Sequence, residues 1–134
     1  MKTAQPSEPG PCPCGSGQPY TACCGRWHAG EPAPTAEALM RSRYSAFVKG
    51  DVPYLLATWH PSTRPATLAL EAGVQWLGLQ VRRHVPAHEG DADRALVEFV
   101  ARSKLGGRAT RLQETSRFVC EGGRWFYVDG DFAG

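Results

Sequence analysis

Cys12-Pro13-Cys14-Gly15-Ser16-Gly17-Gln18-Pro19-Tyr20-Thr21-Ala22-Cys23-Cys24-Gly25 packs four of the chain's five cysteines into thirteen residues, in the pattern C-x-C-x8-C-C. A tetrahedral Zn²⁺ site needs four soft donors at about 2.3 Å. Cys12, Cys14, Cys23 and Cys24 can supply all four without help from the rest of the chain. Pro13 stiffens the backbone between the first pair. Gly15 and Gly17 let backbone amides turn back toward the sulfurs, which stabilises thiolate charge. Arg26 follows as a partial counter-charge, and His28 is a reserve ligand should Cys24 turn away. The first expectation is a structural metal that folds a segment too short to own a core. A catalytic zinc with an open coordination position and a redox switch are the alternatives.

Outward from the cysteines, residues 1–11 form a polar tail broken by Pro6, Pro9 and Pro11 and are expected to be disordered. Residues 12–30 make the knuckle and its exit, Glu31-Pro32-Ala33-Pro34 is a stiff connector, and the main domain spans 35–134. With 134 residues, 42% of them hydrophobic, the chain can bury one core. Its 15 basic and 13 acidic side chains leave a net charge of +2, too small for strong non-specific nucleic-acid binding. The N-terminus has no apolar run of the signal-peptide or anchor kind, and no stretch approaches the ~20 apolar residues that cross a bilayer. A cytoplasmic protein is expected, where clustered thiols read as metal ligands or redox groups more often than as disulfides.

Helical spacing then appears. Thr35 caps a helix with Glu37 in its first turn, Leu39, Met40, Tyr44, Phe47 and Val48 share one face, and Gly50 stops it. Asp51 caps a second helix, with Pro53 in its first turn, that ends before Pro61. A short third helix is expected over roughly residues 65–73. Beyond it the period changes to strands over 74–85, 95–103, 108–120 and 125–128, with Gly106-Gly107 and Gly122-Gly123 as hairpin turns. In the first strand Gln75, Leu77, Leu79 and Val81 are placed on one side. Helices followed by an antiparallel meander make an α+β fold, with an N-terminal zinc knuckle ahead of a cone-shaped, curved antiparallel sheet packed on two or three helices.

The Cys-Pro-Cys-Gly-Ser-Gly run, Tyr20 and Cys23-Cys24-Gly25 resemble the SEC-C motif, the zinc module at the C-terminus of the bacterial preprotein translocase motor. That module usually has Cys-His where this chain has Cys23-Cys24; both residue types bind zinc. Leu39-Met40-Arg41-Ser42-Arg43-Tyr44-Ser45-Ala46-Phe47, followed by Tyr54-Leu55 and Thr58-Trp59-His60-Pro61, is similar to the YchJ-type family of bacterial SEC-C proteins. The resemblance implies a main domain like the nuclear-transport-factor-two cone. It implies a fold and a metal but no reaction.

Such cones often enclose a cavity, and the residues that stand out for a pocket are Arg43, Tyr44, Trp59 and His60. His60 has an unperturbed pKa suited to proton transfer, or it caps a helix C-terminus. Glu98 and Glu114 are strand carboxylates that alternation alone does not assign to a face. No acid–base pair is identifiable. The leading expectation is an interaction protein that docks a protein partner through residues 12–30. The alternative is a small-molecule-binding or lyase/isomerase-type cone in which the zinc is only structural. RNA or ribosome association through the knuckle together with Arg82, Arg83, Arg108, Arg111, Arg117 and Arg124 is the weakest.

Overall fold

The computed structural model describes residues 10–133. Residues 1–9 of the expected tail lie outside the described residues; Pro11 is placed, in an isolated bridge with Pro19. A 3₁₀ turn, Tyr20–Ala22, leads into α1 (Cys24–His28), and then come α2 (Ala36–Lys49) and α3 (Val52–Ala57). Four strands follow: β1 (Gln75–Pro86), β2 (Arg94–Leu105), β3 (Arg108–Glu121) and β4 (Arg124–Phe132). They pair as one antiparallel meander in the order β1-β2-β3-β4. The chain is α+β, as the element order implies.

Local chemistry sets the helix ends. The Thr35 side chain accepts from the Ala38 amide at 3.0 Å, and Gly50 closes α2 in the left-handed region at φ 72°. Asp51 caps α3 by accepting from the Tyr54 amide at 3.1 Å. After α3 the chain runs along the free edge of β4: the Tyr127 amide donates to Thr58 O at 2.8 Å, and the His60 amide donates to Tyr127 O at 2.7 Å. This segment covers a sheet edge that would otherwise present unpaired backbone.

Three details differ from the sequence reading. Residues 65–73 are irregular, not helical. Leu68 and Leu70 are half-buried, and a spacing of two lands on opposite sides of a helix but on one side of an extended chain. In β1 a bulge at Leu77 resets the alternation, so Trp76 shares the core face with Leu79 and Val81 while Leu77 is 49% exposed. β4 runs on through Asp129-Gly130-Asp131, because both aspartates reach across to Arg117 on β3, at 2.5 and 2.8 Å.

α2 touches β1, β2 and β4, so the sheet curls around it. Between them lies one continuous core that runs from Leu39, Met40 and Tyr44 to Ala95, Val97, Phe99 and Phe118, and includes Cys12, Cys14 and Cys24. The knuckle is built into this core.

Candidate functional site

α2 carries two stripes of side chains. Arg41, Ser42, Ser45 and Lys49 face the knuckle. Arg41 donates to Cys14 O at 2.9 Å, Ser45 Oγ lies 3.6 Å from Cys12 Sγ, and the Lys49 ammonium sits 4.2 Å over the Tyr20 ring. Met40, Arg43, Tyr44 and Phe47, at i, i+3, i+4 and i+7, line a cavity of about 290 Å³ between the helix and the sheet.

On the knuckle side the Sγ atoms of Cys12, Cys14, Cys23 and Cys24 all lie within 4.8 Å of one another. Four sulfurs at about 2.3 Å from one ion would sit about 3.8 Å apart, and Cys14 and Cys23 are 3.6 Å apart. Four clustered cysteines of this kind can bind a metal ion. Cys12, Cys14 and Cys24 are buried, and Ser16 Oγ lies 3.1 Å from Cys23 Sγ. Among the thiols, hydrogen bonding from Cys24 pulls Cys14 down, and the same bond together with burial pushes Cys24 up. Gly25 is held glycine by close approach, since a Cβ there would fall 2.7 Å from the Tyr20 carbonyl oxygen. His28 is committed elsewhere. Its Nε2 donates to Ser42 O at 2.8 Å, which leaves Nδ1 to accept from the Tyr20 hydroxyl at 2.6 Å.

The cavity is walled by apolar groups, among them Met40, Phe47, Trp76, Phe99 and Phe118, with a small polar cluster set into one end. Arg43, only 7% exposed, donates from Nη1 to Leu55 O at 2.8 Å and to Thr58 Oγ1 at 2.7 Å. Its guanidinium lies over Trp59 and Tyr127, 5.3 and 4.6 Å from the ring centroids. Burial pushes Arg43 down to about 10, against the pull of Tyr127, Tyr54 and Glu114. Glu114, also 7% exposed, accepts at Oε2 from Ser116 Oγ at 2.8 Å and from the Tyr127 hydroxyl at 3.2 Å. Burial, and then the Glu114 charge, push Tyr127 up to about 12. Across the strand pair Gly130 makes room for this carboxylate: a Cβ there would overlap it.

The structure thus brings Arg43, Tyr44 and Trp59 to one cavity wall and leaves His60 outside. His60 Nε2 lies 3.0 Å from Glu121 and Nδ1 lies 2.7 Å from Ser62 Oγ, on the far side of β4. Of the two strand carboxylates, Glu114 faces in. Glu98 sits on the other face and accepts from Gln113 at 2.8 Å. Ser116, Tyr127 and Gly130 escaped the sequence reading, yet a signal for Ser116 was present: Leu112 and Phe118 share strand parity with Glu114 and Ser116. Of the arginines in the expected basic strip, Arg117 is neutralised by Asp129 and Asp131. No described helix is long and apolar enough to cross a membrane.

Comparison with known proteins agrees with this geometry. Residues 35–130 match the family described as "YchJ, middle NTF2-like domain", and residues 11–26 match the SEC-C motif. A UPF0225 protein of Bordetella parapertussis is 58% identical over 130 residues, covering 94% of this chain and 96% of its own length. A UPF0225 protein of Chromobacterium violaceum is 59% identical over 124 residues, covering 89% and 90%. Among solved structures, the solution structure of a SEC-C motif containing protein from Rhodopseudomonas palustris superposes with TM-score 0.82 at 32% identity. It covers 93% of this chain and all of the other. A SEC-C motif containing protein from Psychrobacter arcticus gives 0.75 at 29% identity, covering 92% and 83%.

Proposed function

This chain belongs to the YchJ family of SEC-C motif proteins, and on that premise we propose that it is a zinc-stapled binding protein for a small molecule. In this reading Cys12, Cys14, Cys23 and Cys24 hold one Zn²⁺ in a closed, structural site, and the cavity beneath α2 is the functional one. Four thiolates favour zinc over the hard cations that oxygen ligands select, and with four protein ligands no position remains for a substrate. The observation that carries the reading is Arg43. Its guanidinium sits in the wall of a largely apolar cavity, beside Glu114, and bonds only through Nη1 among the described residues, so Nε and Nη2 are available to a ligand that enters.

The docking role for residues 12–30 is supported by the exposed turn over residues 15–19. Tyr20 and Trp27, the aromatics that would anchor a partner, pack inward against the core instead. That weakens docking relative to the cavity.

The test is a fragment screen by NMR on the zinc-loaded full chain, beside an Ala101→Phe variant that fills the cavity from β2. Expected are shifts of the Trp59 and Trp76 indole signals in the wild type, and their loss in the folded variant. Hits that bind the variant equally well would overturn the cavity reading.

A further inference from the structure

The geometry points to an uncharged ligand with a flat apolar body and, at one end, a hydrogen-bond acceptor beside a donor, as in a primary amide or a hydroxy-carbonyl compound. Arg43 and Glu114 would read that end together. This rests on the cavity being a binding site and adds what the cavity selects.

The selection follows from what the two charged groups leave unused. A guanidinium has five N–H donors. Arg43 has bonds only from Nη1 among the described residues, so Nε and Nη2 remain for an acceptor. Glu114 takes both of its donors, Ser116 and Tyr127, on Oε2, so Oε1 remains for a donor. The two side chains line the same cavity, and among the described residues no ion pair within 4.0 Å joins them. Tyr127 stands between them: its ring lies under the guanidinium and its hydroxyl is on the carboxylate.

This arrangement discriminates by charge. An anionic ligand gains at Arg43 and is repelled at Glu114, and a cationic ligand meets the reverse. Each also gives up its own hydration to enter, which costs an ion far more than a neutral group. A neutral head with an acceptor and a donor side by side satisfies both residues and brings no net charge into the cavity. A hydrocarbon with no polar head offers no partner to Nε and Nη2 of Arg43 or to Oε1 of Glu114. The volume, about 290 Å³, lies at the small end of the range for small-molecule pockets, room for a molecule of about one or two rings. Trp76, Phe99 and Phe118 supply flat apolar walls, and Phe132, 66% exposed, stands at the rim.

Phenylacetamide, phenylacetate, phenethylammonium and n-propylbenzene share a phenyl body and differ at the head. Titrated into the zinc-loaded full chain and followed by the Trp59 and Trp76 indole signals, phenylacetamide should bind at least about tenfold more tightly than the other three, a difference of about 1.4 kcal/mol. Glu114→Gln keeps an acceptor for Ser116 and Tyr127 but removes the charge. It should shift the order toward phenylacetate and weaken phenethylammonium further, which a merely structural Glu114 would not do. Phenylacetate binding best to the wild type, n-propylbenzene matching the amide, or an order unchanged in Glu114→Gln would each overturn the inference while leaving the cavity a binding site. Failure of all four to bind would overturn the cavity reading itself.

Discussion

Gly130→Ala adds one methyl group on β4, and its cost is set by one neighbour. Gly130 has a φ open to any residue, so the backbone accepts alanine. The new Cβ, however, would overlap the Glu114 carboxylate group and lie 3.0 Å from its Cγ. Glu114 must swing away and give up its bonds from Ser116 and Tyr127. Hydrogen bonds to a charged acceptor contribute about 1.5 kcal/mol each at the low end, so the pair amounts to about 3 kcal/mol. Offset by about 0.5 kcal/mol from removing a strand glycine, the net cost of about 2.5 kcal/mol corresponds, for a chain of this length, to a fall in Tm of about 8 °C. In a Glu114→Ala background the same methyl meets nothing, and relief of glycine's backbone entropy turns the sign to a gain of about 0.5 kcal/mol. Urea unfolding of the four proteins of this cycle, followed by far-UV circular dichroism and tryptophan fluorescence, should give a coupling of about 3 kcal/mol. Independent sites add to within about 0.5 kcal/mol. A coupling below that limit would refute the placement of Glu114 against Gly130, and with it the polar end of the cavity.

Two further outcomes follow from the same packing. Native mass spectrometry of protein purified without added metal should find one zinc per chain, lost in Cys23→Ser/Cys24→Ser. Because Cys12, Cys14 and Cys24 share a core with Leu39 and Tyr44, that variant should melt at a lower temperature in a single transition; an unchanged melt of the remainder would refute the shared core. At high pH, Tyr54 and Tyr127 are both pushed up to about 12, mainly by burial, so the folded chain keeps protons that the unfolded chain loses near pH 10. Their contribution is complete below about pH 10 and is lost between about pH 10 and 12, while Arg43, pushed down to about 10, runs the opposite way over the same window. Tyr54→Phe should therefore lose less stability than wild type between those pH values, and equal slopes in pH-dependent urea unfolding would count against it.

What could be read in advance followed from local rules. The cap at Thr35, the stop at Gly50 and the glycine pairs at 106–107 and 122–123 each fix an element end through backbone chemistry that a few adjacent residues determine. The cysteines were legible for the same reason, since all four fall in one short segment. The cavity was only half legible. Arg43, Tyr44 and Trp59 stand close along the chain, but their companions Glu114 and Tyr127 arrive through strand register, and a bulge moves register by one residue. The irregularity after Arg117 decides that Tyr127 faces Phe118 and the cavity; no local signal marks it. His60 follows Trp59 directly and was drawn toward the same pocket, but adjacent residues in an extended segment point to opposite sides.

If the knuckle holds a metal and the cavity a ligand, as proposed, the two stripes of α2 would couple the two sites. The helix is a shared wall: Arg41 and Ser45 are tied to the cysteine segment on one side, while Arg43 and Phe47 face the cavity on the other. Side chains in a close-packed interior do not shift independently. Rotating α2 enough to release Ser45 from Cys12 would also carry Arg43 off Leu55 O and Thr58 Oγ1 and away from the face of Tyr127. α2 has fourteen residues and touches β1, β2 and β4, so the sheet alone gives it a broad seat but few polar fixings. Bonds that fix its rotation come from the knuckle, through Arg41 to Cys14 O and from His28 to Ser42 O, and from the α3 segment, through Arg43 to Leu55 O and Thr58 Oγ1 and through Ser42 Oγ to Tyr54. A metal held by the four cysteines, as proposed, would thereby help the α3 bonds set the angle at which Arg43 enters the cavity.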